Sequence, residues 1–140
     1  MATSMKVRYD ILILFMLLGS IVTYSQNILT STIQWTCTQT FDAQQGLMTD
    51  EITKIVSSPT QVTWYDSNDV VKDTFEISGT EGSWTNVSNN GSVTFTVSSG
   101  EDRALIQFTK QNSNISIRIH FLLKDGKSIY DLKVNNVNSL

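Results

Sequence analysis

Residues 89–98 read NNGSVTFTVS, and this stretch indicates the fold class of the chain. The Asn-Asn-Gly sequence is a strong hairpin signal, because asparagine and glycine both tolerate the positive φ angles of a tight β-turn. After it, valine and phenylalanine alternate with serine and threonine, which is the two-residue period of a strand with one buried face. The stretch therefore predicts a β-hairpin whose strands lie at 83–87 and 92–98.

The same alternation recurs near the end of the sequence. Residues 115–123 read ISIRIHFLL, which places isoleucine and phenylalanine on one face and Arg118 and His120 on the other. Residues 128–134 follow after Lys-Asp-Gly-Lys at 124–127, where Asp-Gly is again typical of a tight turn. These residues predict a second hairpin that buries a single face.

Short strands are predicted along the whole chain after the first thirty or so residues, from β-branched and aromatic residues separated by turn residues. Turns are predicted at 42–46, 66–69 and 79–82. Residues 48–57 also fit one face of a short helix, although a strand is preferred. The predicted strands are 30–41, 48–57, 61–66, 70–78, 83–87, 92–98, 104–110, 115–123 and 128–134.

The positions of aromatic residues within these strands predict which side chains are buried. The apolar face of the first strand contains Ile33, Trp35, Cys37 and Phe41. In the third strand Trp64 and Tyr65 are adjacent, so they must point to opposite sides of the sheet. Tyr65 is the candidate for an exposed aromatic side chain.

The spacing of these hairpins predicts the architecture. Closely spaced antiparallel hairpins without a long helical segment exclude a parallel βαβ fold and favour a meander. An up-and-down barrel removes exposed edge strands by closing on itself. We therefore predict an all-β fold, an antiparallel meander of eight or nine short strands that closes into a small barrel, with a two-sheet β-sandwich as the alternative.

A short motif resembles one family with this architecture. Gly82, Ser83 and Trp84 form the Gly-x-Trp sequence that resembles the signature motif of lipocalins. In lipocalins the motif lies on the first strand, whereas here it lies in the middle of the chain. The resemblance, which extends to small exported bacterial lipocalin-like domains, therefore concerns the architecture of the mature region and transfers no functional residue.

The beginning of the sequence has the pattern of a cleavable export signal. Lys6 and Arg8 give a positive start, and residues 11–22 form an apolar run shorter than the roughly 20 residues needed to span a bilayer. Small residues at the end of this segment predict cleavage after Ser25. We expect residues 26–140 to be one all-β domain in the periplasm or outside the cell, with no membrane span after cleavage. The compact signal is typical of a bacterial chain.

The charge and cysteine content of the mature chain limit its partners. Without residues 1–25 the chain has 8 basic and 12 acidic residues, a net charge of −4. This acidity disfavours nucleic acid and anionic membrane surfaces as partners. Cys37 is the single cysteine and forms no internal disulfide, so packing and backbone pairing must hold the fold.

Residue types that support catalysis or metal binding are few. His120 is the single histidine, and Cys37 lies on an apolar strand face, so neither an activated nucleophile nor a zinc site is indicated. Asp66, Asn68 and Asp69 bring oxygen atoms together in one loop, but such residues are common in turns without calcium. We therefore predict no enzymatic activity, no metal and no cofactor.

Aromatic residues are the best candidates for a binding site, since concave apolar pockets commonly contain them. Two polar residues on one strand face would converge on an anionic group of a ligand if that face looked into a barrel. The candidate ligand-binding residues are Trp35, Trp64, Trp84, Phe95, Arg118 and His120.

The predicted function follows from the fold and these candidates. We predict an exported, non-enzymatic binding protein whose lipocalin-like barrel accepts a small apolar ligand, which requires an unfilled cavity. The alternative is a structural or protein-interaction domain of the cell envelope without a small-molecule site, which requires a packed core. A hydrolase ranks third, because it would need a cleft that brings His120 or Cys37 to acidic partners.

Overall fold

The computed structural model of the protein describes residues 27–123 and 126–140. The predicted signal segment, its cleavage position and the tip of the predicted turn at 124–127 lie outside these residues. The described part contains strands, turns and loops, and no helix in it is long and apolar enough to cross a membrane. The prediction of an all-β fold is confirmed.

Nine strands make up the described chain, and they agree with most of the predicted positions. The strands are β1 (Ile33–Asp42), β2 (Leu47–Thr49), β3 (Thr53–Ser57), β4 (Gln61–Tyr65), β5 (Val71–Ser83), β6 (Gly91–Ser99), β7 (Asp102–Gln111), β8 (Asn114–Leu123) and β9 (Gly126–Ser139). The segment 48–57 is extended, as preferred, and the helical alternative is wrong. It consists of the end of β2, a break at 50–52, and β3.

The strands form one antiparallel meander that closes on itself. Each strand from β3 to β9 pairs with the next, and β9 returns to pair with β1. β2 and β3 share one place beside β1, because β2 pairs with the end of β1 and β3 with its beginning. The result is an eight-stranded barrel, which confirms the predicted closure and excludes the sandwich.

Alternate side chains of each strand fill the interior of this barrel. Val93, Phe95 and Val97 of β6 are buried, and so are Ile117 and Ile119 of β8. Their neighbours along the strand are serine, threonine and arginine, which are more exposed. The predicted inward faces of these two strands are confirmed, and each large apolar side chain buried in this way contributes about 1.5–3 kcal/mol.

A β-bulge in β1 reverses the direction of its side chains. The register against β9 shifts between Cys37 and Gln39, so an extra residue lies between them. After the bulge Thr40 pairs with the inward Leu132, and Phe41 pairs with Asp131 on the outer face. The prediction that Phe41 shares a face with Trp35 is therefore wrong, because strict alternation does not continue through a bulge.

The long strand β5 covers the predicted strand at 70–78 and the predicted turn after it, whereas the predicted strand at 83–87 is loop beyond Ser83. Residues 70–78 and 83–87 were expected to flank a turn at 79–82, but β5 continues through this segment and pairs with β6. A bulge between Ile77 and Gly79 absorbs the irregularity, and Gly82 adopts a positive φ of 83° inside the strand. The glycines bend the strand and do not end it.

The loop before β6 is longer than the predicted tight turn at Asn-Asn-Gly. It contains residues 84–90, and Gly91 is already the first residue of β6. A Cβ atom on Gly91 would lie 2.5 Å from Cδ1 of Trp84, so the glycine is required by side-chain packing. A hairpin is present, but it joins β5 to β6. The predicted strand at 83–87 and the tight turn after it are wrong, because Trp84 packs inward within the loop 84–90.

Candidate functional site

One end of the barrel, where β1 begins, is closed by side chains. Ile28 is fully buried there, and its backbone N–H donates a hydrogen bond to the carbonyl of Trp84 at 3.3 Å. The indole N–H of Trp84 donates to the carbonyl oxygens of Asn86 at 2.8 Å and Asn89 at 3.0 Å. The Trp84 ring lies 5.8 Å from that of Trp35. We call this end the closed end.

The middle of the barrel is filled by aromatic rings. The ring of Phe108 lies 4.9 Å from that of Trp35 and 5.7 Å from that of Phe95. Trp35 is fully buried, and its indole N–H donates a hydrogen bond to the hydroxyl of Ser57 at 2.9 Å. Two of the predicted ligand-binding residues, Trp35 and Phe95, therefore contact other core side chains within this layer.

The opposite end of the barrel contains a concave site, which we call the cup. Its volume is about 270 Å³. It lies where β1 ends, so it is on the side of the barrel away from the closed end. The cup is lined by Thr40, Asp42, Gln45, Leu47, Thr49, Glu51, Thr53, Trp64, Lys72 and Tyr130.

Aromatic rings form the apolar part of the cup. The rings of Trp64 and Tyr130 lie 5.5 Å apart in an edge-to-face arrangement. The ammonium nitrogen of Lys72 lies 4.0 Å from the centre of the Trp64 ring and 5.7 Å from that of Tyr130. The ring of Phe121 lies 6.1 Å from that of Tyr130 and 5.7 Å from that of Phe75, so the cluster extends to strands β8 and β5. The cup therefore has an aromatic wall with a cation against it.

Two β-bulges direct polar side chains into the cup. The bulge in β1 turns Thr40 and Asp42 inward. A second register shift lets Trp64 pair with Asp73 and Tyr65 with Val71, which leaves Lys72 as the extra residue of β5. Bulges are frequent next to functional sites because they redirect a side chain without ending the strand.

Three residues that line the cup each have a buried polar atom without a hydrogen-bond partner among the described residues. The atoms are Oγ1 of Thr40, Oγ1 of Thr53 and the indole nitrogen of Trp64. The hydroxyl of Thr53 has only the thiol of Cys37, a weak hydrogen-bonding group, to interact with. Each unsatisfied buried group costs about 1–3 kcal/mol. A bound molecule that forms hydrogen bonds with these atoms would therefore remove a free-energy cost that the interior carries without it.

Acidic side chains outnumber basic ones among the described residues at the end of the barrel that contains the cup, which we call the open end. The ammonium of Lys54 pairs with the carboxylate of Asp69 at 2.7 Å. The acidic residues at this end are Asp42, Asp50, Glu51, Asp66, Asp69, Asp73, Glu101 and Asp102, and the basic ones are Lys54, Lys72 and Arg103. The electrostatic potential around the cup therefore favours positively charged molecules.

The two polar candidates, Arg118 and His120, lie on the outside of the barrel. Arg118 donates two hydrogen bonds to the carboxylate of Asp131, at 2.7 and 3.0 Å. The hydrogen bond and the negative charge of Asp131 raise the pKa of the Arg118 guanidinium above its usual value. Nε2 of His120 is buried and has no hydrogen-bond partner among the described residues. Neither side chain reaches the cup.

The structure thus separates the six predicted ligand-binding residues, with Arg118 and His120 together on the outside of the barrel. Trp64 lines the cup, while Trp35, Trp84 and Phe95 fill the middle and the closed end. Tyr65 is on the outer side, as expected from its position next to Trp64, but it is half-buried and not exposed as predicted.

Among the residues that line the cup, sequence reasoning identified Trp64 and missed the others, including Thr40, Thr53, Lys72 and Tyr130. Tyr130 had a recognisable signal in the sequence. It lies two residues before Leu132 and four before Val134, so it belongs to the same inward face of β9. The inward direction of Thr40 and Lys72 depends on the two bulges, for which the local sequence gives no signal.

Cys37 and the loop around Asp66 have structural explanations. Burial raises the pKa of the Cys37 thiol from 9.0 to about 12, and the hydroxyl of Thr53 opposes this shift. A carboxylate oxygen of Asp66 accepts the backbone N–H groups of Asn68 at 2.8 Å and Val70 at 3.0 Å. The thiol is therefore protonated at neutral pH, and the loop is a turn closed by its own aspartate.

A larger groove of about 470 Å³ lies on the outside of the barrel, where the bulge in β1 brings the half-buried Phe41 beside Met48. Asp131 and Lys133 of β9 also line it. None of the buried polar atoms without a partner belongs to this groove. We therefore regard the cup as the better candidate despite its smaller volume.

The amino-acid sequence matches no protein-family model and no curated protein. A functional assignment therefore depends on the geometry of the cup and of the barrel around it. A fold by itself is compatible with many functions, so the chemistry of the lining side chains is what must be interpreted.

Proposed function

We propose that this chain is a non-enzymatic binding barrel that holds a small ligand in the cup. The observation that carries this proposal is the indole N–H of Trp64, which is unpaired although the side chain is only 2% exposed. A ligand that accepts this hydrogen bond would remove the cost of an unsatisfied donor. The hydroxyl group of Thr40 would contribute in the same way.

The ligand also needs an apolar face. The rings of Trp64 and Tyr130 offer a surface against which such a face can pack. Trp35 and Phe95 already pack against Phe108 in the middle of the barrel, so a purely apolar ligand has little room between them. We therefore propose a ligand that combines an apolar face with hydrogen-bonding groups. It stays in the cup and does not enter the aromatic layer in the middle of the barrel.

Export of the protein is part of the same proposal. Residues 1–25 have the composition of a cleavable signal, and the described chain starts beside the closed end of the barrel. A mature chain beginning at Gln26 would leave the cup, at the opposite end, accessible to solvent. The ligand would then be met in the periplasm or outside the cell.

A second candidate function rests on apolar side chains exposed near the cup. Leu47, Ile52 and Val70 are 58%, 62% and 58% exposed, and Met48 lies in the neighbouring outer groove. Exposed apolar residues that occur together often belong to protein-protein contacts. A protein-interaction domain would use this rim as its contact surface and would bind no small molecule in the cup.

Spectroscopy of the three indole N–H groups tests the binding proposal. The mature chain is purified gently from an export host, its N-terminus is determined by mass, and small molecules bound to it are extracted and identified. We expect a bound compound to shift the indole N–H signal of Trp64 in ¹H–¹⁵N spectra. The signals of Trp35 and Trp84 should move far less, because they are hydrogen-bonded inside the core.

Substitution of adjacent aromatic residues provides the control. Trp64→Ala should weaken binding by about tenfold or more, as expected for an aromatic residue at the centre of a site. Tyr65→Ala changes the neighbouring residue, which points outward, and should alter affinity less than about twofold. If the protein carries no compound and none from a metabolite mixture shifts the Trp64 signal, the protein-interaction function is favoured.

A further inference from the structure

Lys72 holds its ammonium group against aromatic rings and forms no ion pair among the described residues. Its nitrogen lies 4.0 Å from the centre of the Trp64 ring and 5.7 Å from that of Tyr130. The ion pairs of the described residues join Lys54 to Asp69 and Arg118 to Asp131. Lys72 therefore differs from these two cations in having ring faces as its contacts.

Aromatic rings attract cations through the negative charge of their faces, most strongly for tryptophan and within about 6 Å of the ring centre. Both contacts of the Lys72 ammonium fall inside this distance. The two rings are tilted by 65° to each other, so they form two sides of a corner. A corner of this kind is the usual recognition element for methylated ammonium groups in proteins.

The rest of the cup also favours a positive ligand. Asp42 and Glu51 line the same cavity, and Asp73 follows Lys72 directly on β5. Leu47 adds an exposed apolar side chain to the lining. Carboxylates and an apolar surface together suit an organic cation whose methyl groups reduce its hydration, in contrast to a bare metal ion.

Building on the proposed function, we infer that the cup binds a small organic cation with a methylated ammonium group, and that Lys72 occupies this position until the ligand displaces it. The bulge at Lys72 is what allows the displacement, because an extra residue on β5 can turn outward without breaking the pairing on either side. Lys72 is already an exposed residue in the structure, so its ammonium can turn into water without leaving a buried position.

A pair of compounds that differ in charge and share their shape tests this inference. Choline and its uncharged isostere 3,3-dimethylbutan-1-ol are titrated separately into the mature chain, and the Trp64 indole signal is followed. We expect choline to shift this signal with an affinity at least about tenfold higher than the isostere, because only choline carries the charge that the ring faces attract. Phosphatidylcholine vesicles in a parallel titration distinguish a lipid headgroup from a free cation as the source.

Two lysine substitutions test the role of Lys72 as the resident cation. Lys72→Ala should bind choline about three- to tenfold more tightly, since the competing ammonium is removed. Lys133→Ala removes the same charge from the outer face of β9, and it should leave the affinity within about twofold. A thermal melt of each variant establishes that it is folded. Asp42→Asn should weaken choline binding and leave binding of the isostere unchanged.

The outcomes separate this inference from the proposed function. Equal affinity for choline and the isostere would overturn the cation preference while leaving a binding cup in place. Equal effects of Lys72→Ala and Lys133→Ala would overturn the displacement of Lys72. If choline fails to shift the Trp64 signal even in folded Lys72→Ala, the inference is wrong, and a neutral compound that shifts it still supports the proposed function.

Discussion

The three tryptophans differ in the contacts of their indole N–H groups, although all three are buried. Trp35 donates to the hydroxyl of Ser57, and Trp84 donates to two loop carbonyl oxygens. Trp64 has no acceptor among the described residues. Buried donors are normally paired, so this single difference distinguishes the tryptophan beside the cup from the two that hold the core together.

Cys37 gives the protein a pH-dependent stability at the residue scale. Burial raises the pKa of its thiol to about 12, so the folded state keeps a proton that the unfolded chain loses above about pH 9. We expect the contribution of Cys37 to be constant below pH 9. Above pH 9 it should lower the free energy of unfolding by as much as about 1.4 kcal/mol per pH unit, until the pH approaches 12.

Urea unfolding of the wild type and Cys37→Ala between pH 7 and 10.5 measures this contribution. The Cys37→Ala variant is expected to be less stable at pH 7, because a buried side chain is shortened. The difference in stability between the two proteins should shrink as the pH rises above 9. A difference that stays constant over the whole range would contradict the shifted pKa.

At the scale of elements, the end of β5 and the loop after it hold Trp84 in place at the closed end. Gly82 is held at a positive φ, and a Cβ atom there would lie 2.9 Å from the carbonyl oxygen of Ser92. The loop that follows β5 packs Trp84 against Trp35 and provides the acceptors for the Trp84 indole N–H. The Gly-x-Trp sequence thus has a packing role at the closed end, remote from the cup.

Gly91→Ala should destabilise this arrangement. The new methyl group would lie 2.5 Å from the Trp84 ring, so the indole must move away from its two acceptors. We expect a loss of about 1–3 kcal/mol, which is typical of an overpacked core, together with a shifted Trp84 indole signal. Denaturant unfolding and ¹H–¹⁵N spectra measure the two effects.

Gly79→Ala is the matched control on β5. Its Cβ atom would lie 3.5 Å from Cβ of Thr96, an ordinary contact distance. The variant should therefore change the stability by no more than about 0.5 kcal/mol. Similar losses for the two variants would show that the contact between Gly91 and Trp84 is unimportant.

At the scale of the whole molecule, closure depends on the seam between β1 and β9. This seam has two halves, because register shifts divide it near Cys37. The half at the closed end pairs Ile33 with Ser139 and Trp35 with Val137. A closed barrel has no free edge, so the seam protects strands on both sides of it from pairing with other chains.

A chain ending at Val134 tests the contribution of this half of the seam. It would lose the pairing of residues 136–139 with β1 and the packing of Val137 against the core. We expect the melting temperature to fall by more than about 10 °C, since several kcal/mol are lost from a domain of this size. Aggregation should increase, because β1 acquires an exposed edge.

Removal of Leu140 alone is the control for this truncation. Leu140 is 70% exposed and contributes one backbone hydrogen bond, from its N–H to the carbonyl of Thr32 at 2.9 Å. Its removal should shift the melting temperature by only a few degrees. A melting temperature of the longer truncation close to that of the control would mean that the seam is held by its other half.

The sequence by itself determined the all-β class, the positions of most strands and the inward faces of β6 and β8. These properties depend on the two-residue period, which is a relation between neighbours along the chain. Barrel closure was also predictable, because a meander with many short strands leaves two edges that pairing with each other removes. Trp64 was identified as a site candidate for the same local reasons.

Only the tertiary structure decided which residues meet in the cup. Thr40 and Lys72 point into it because bulges in β1 and β5 interrupt the alternation, and bulges arise where strands must bend and shift to close a barrel. The filling of the barrel by Trp35 and Trp84 likewise depends on contacts between distant segments. Local periodicity cannot specify such contacts, since they result from the register of strands far apart in the chain.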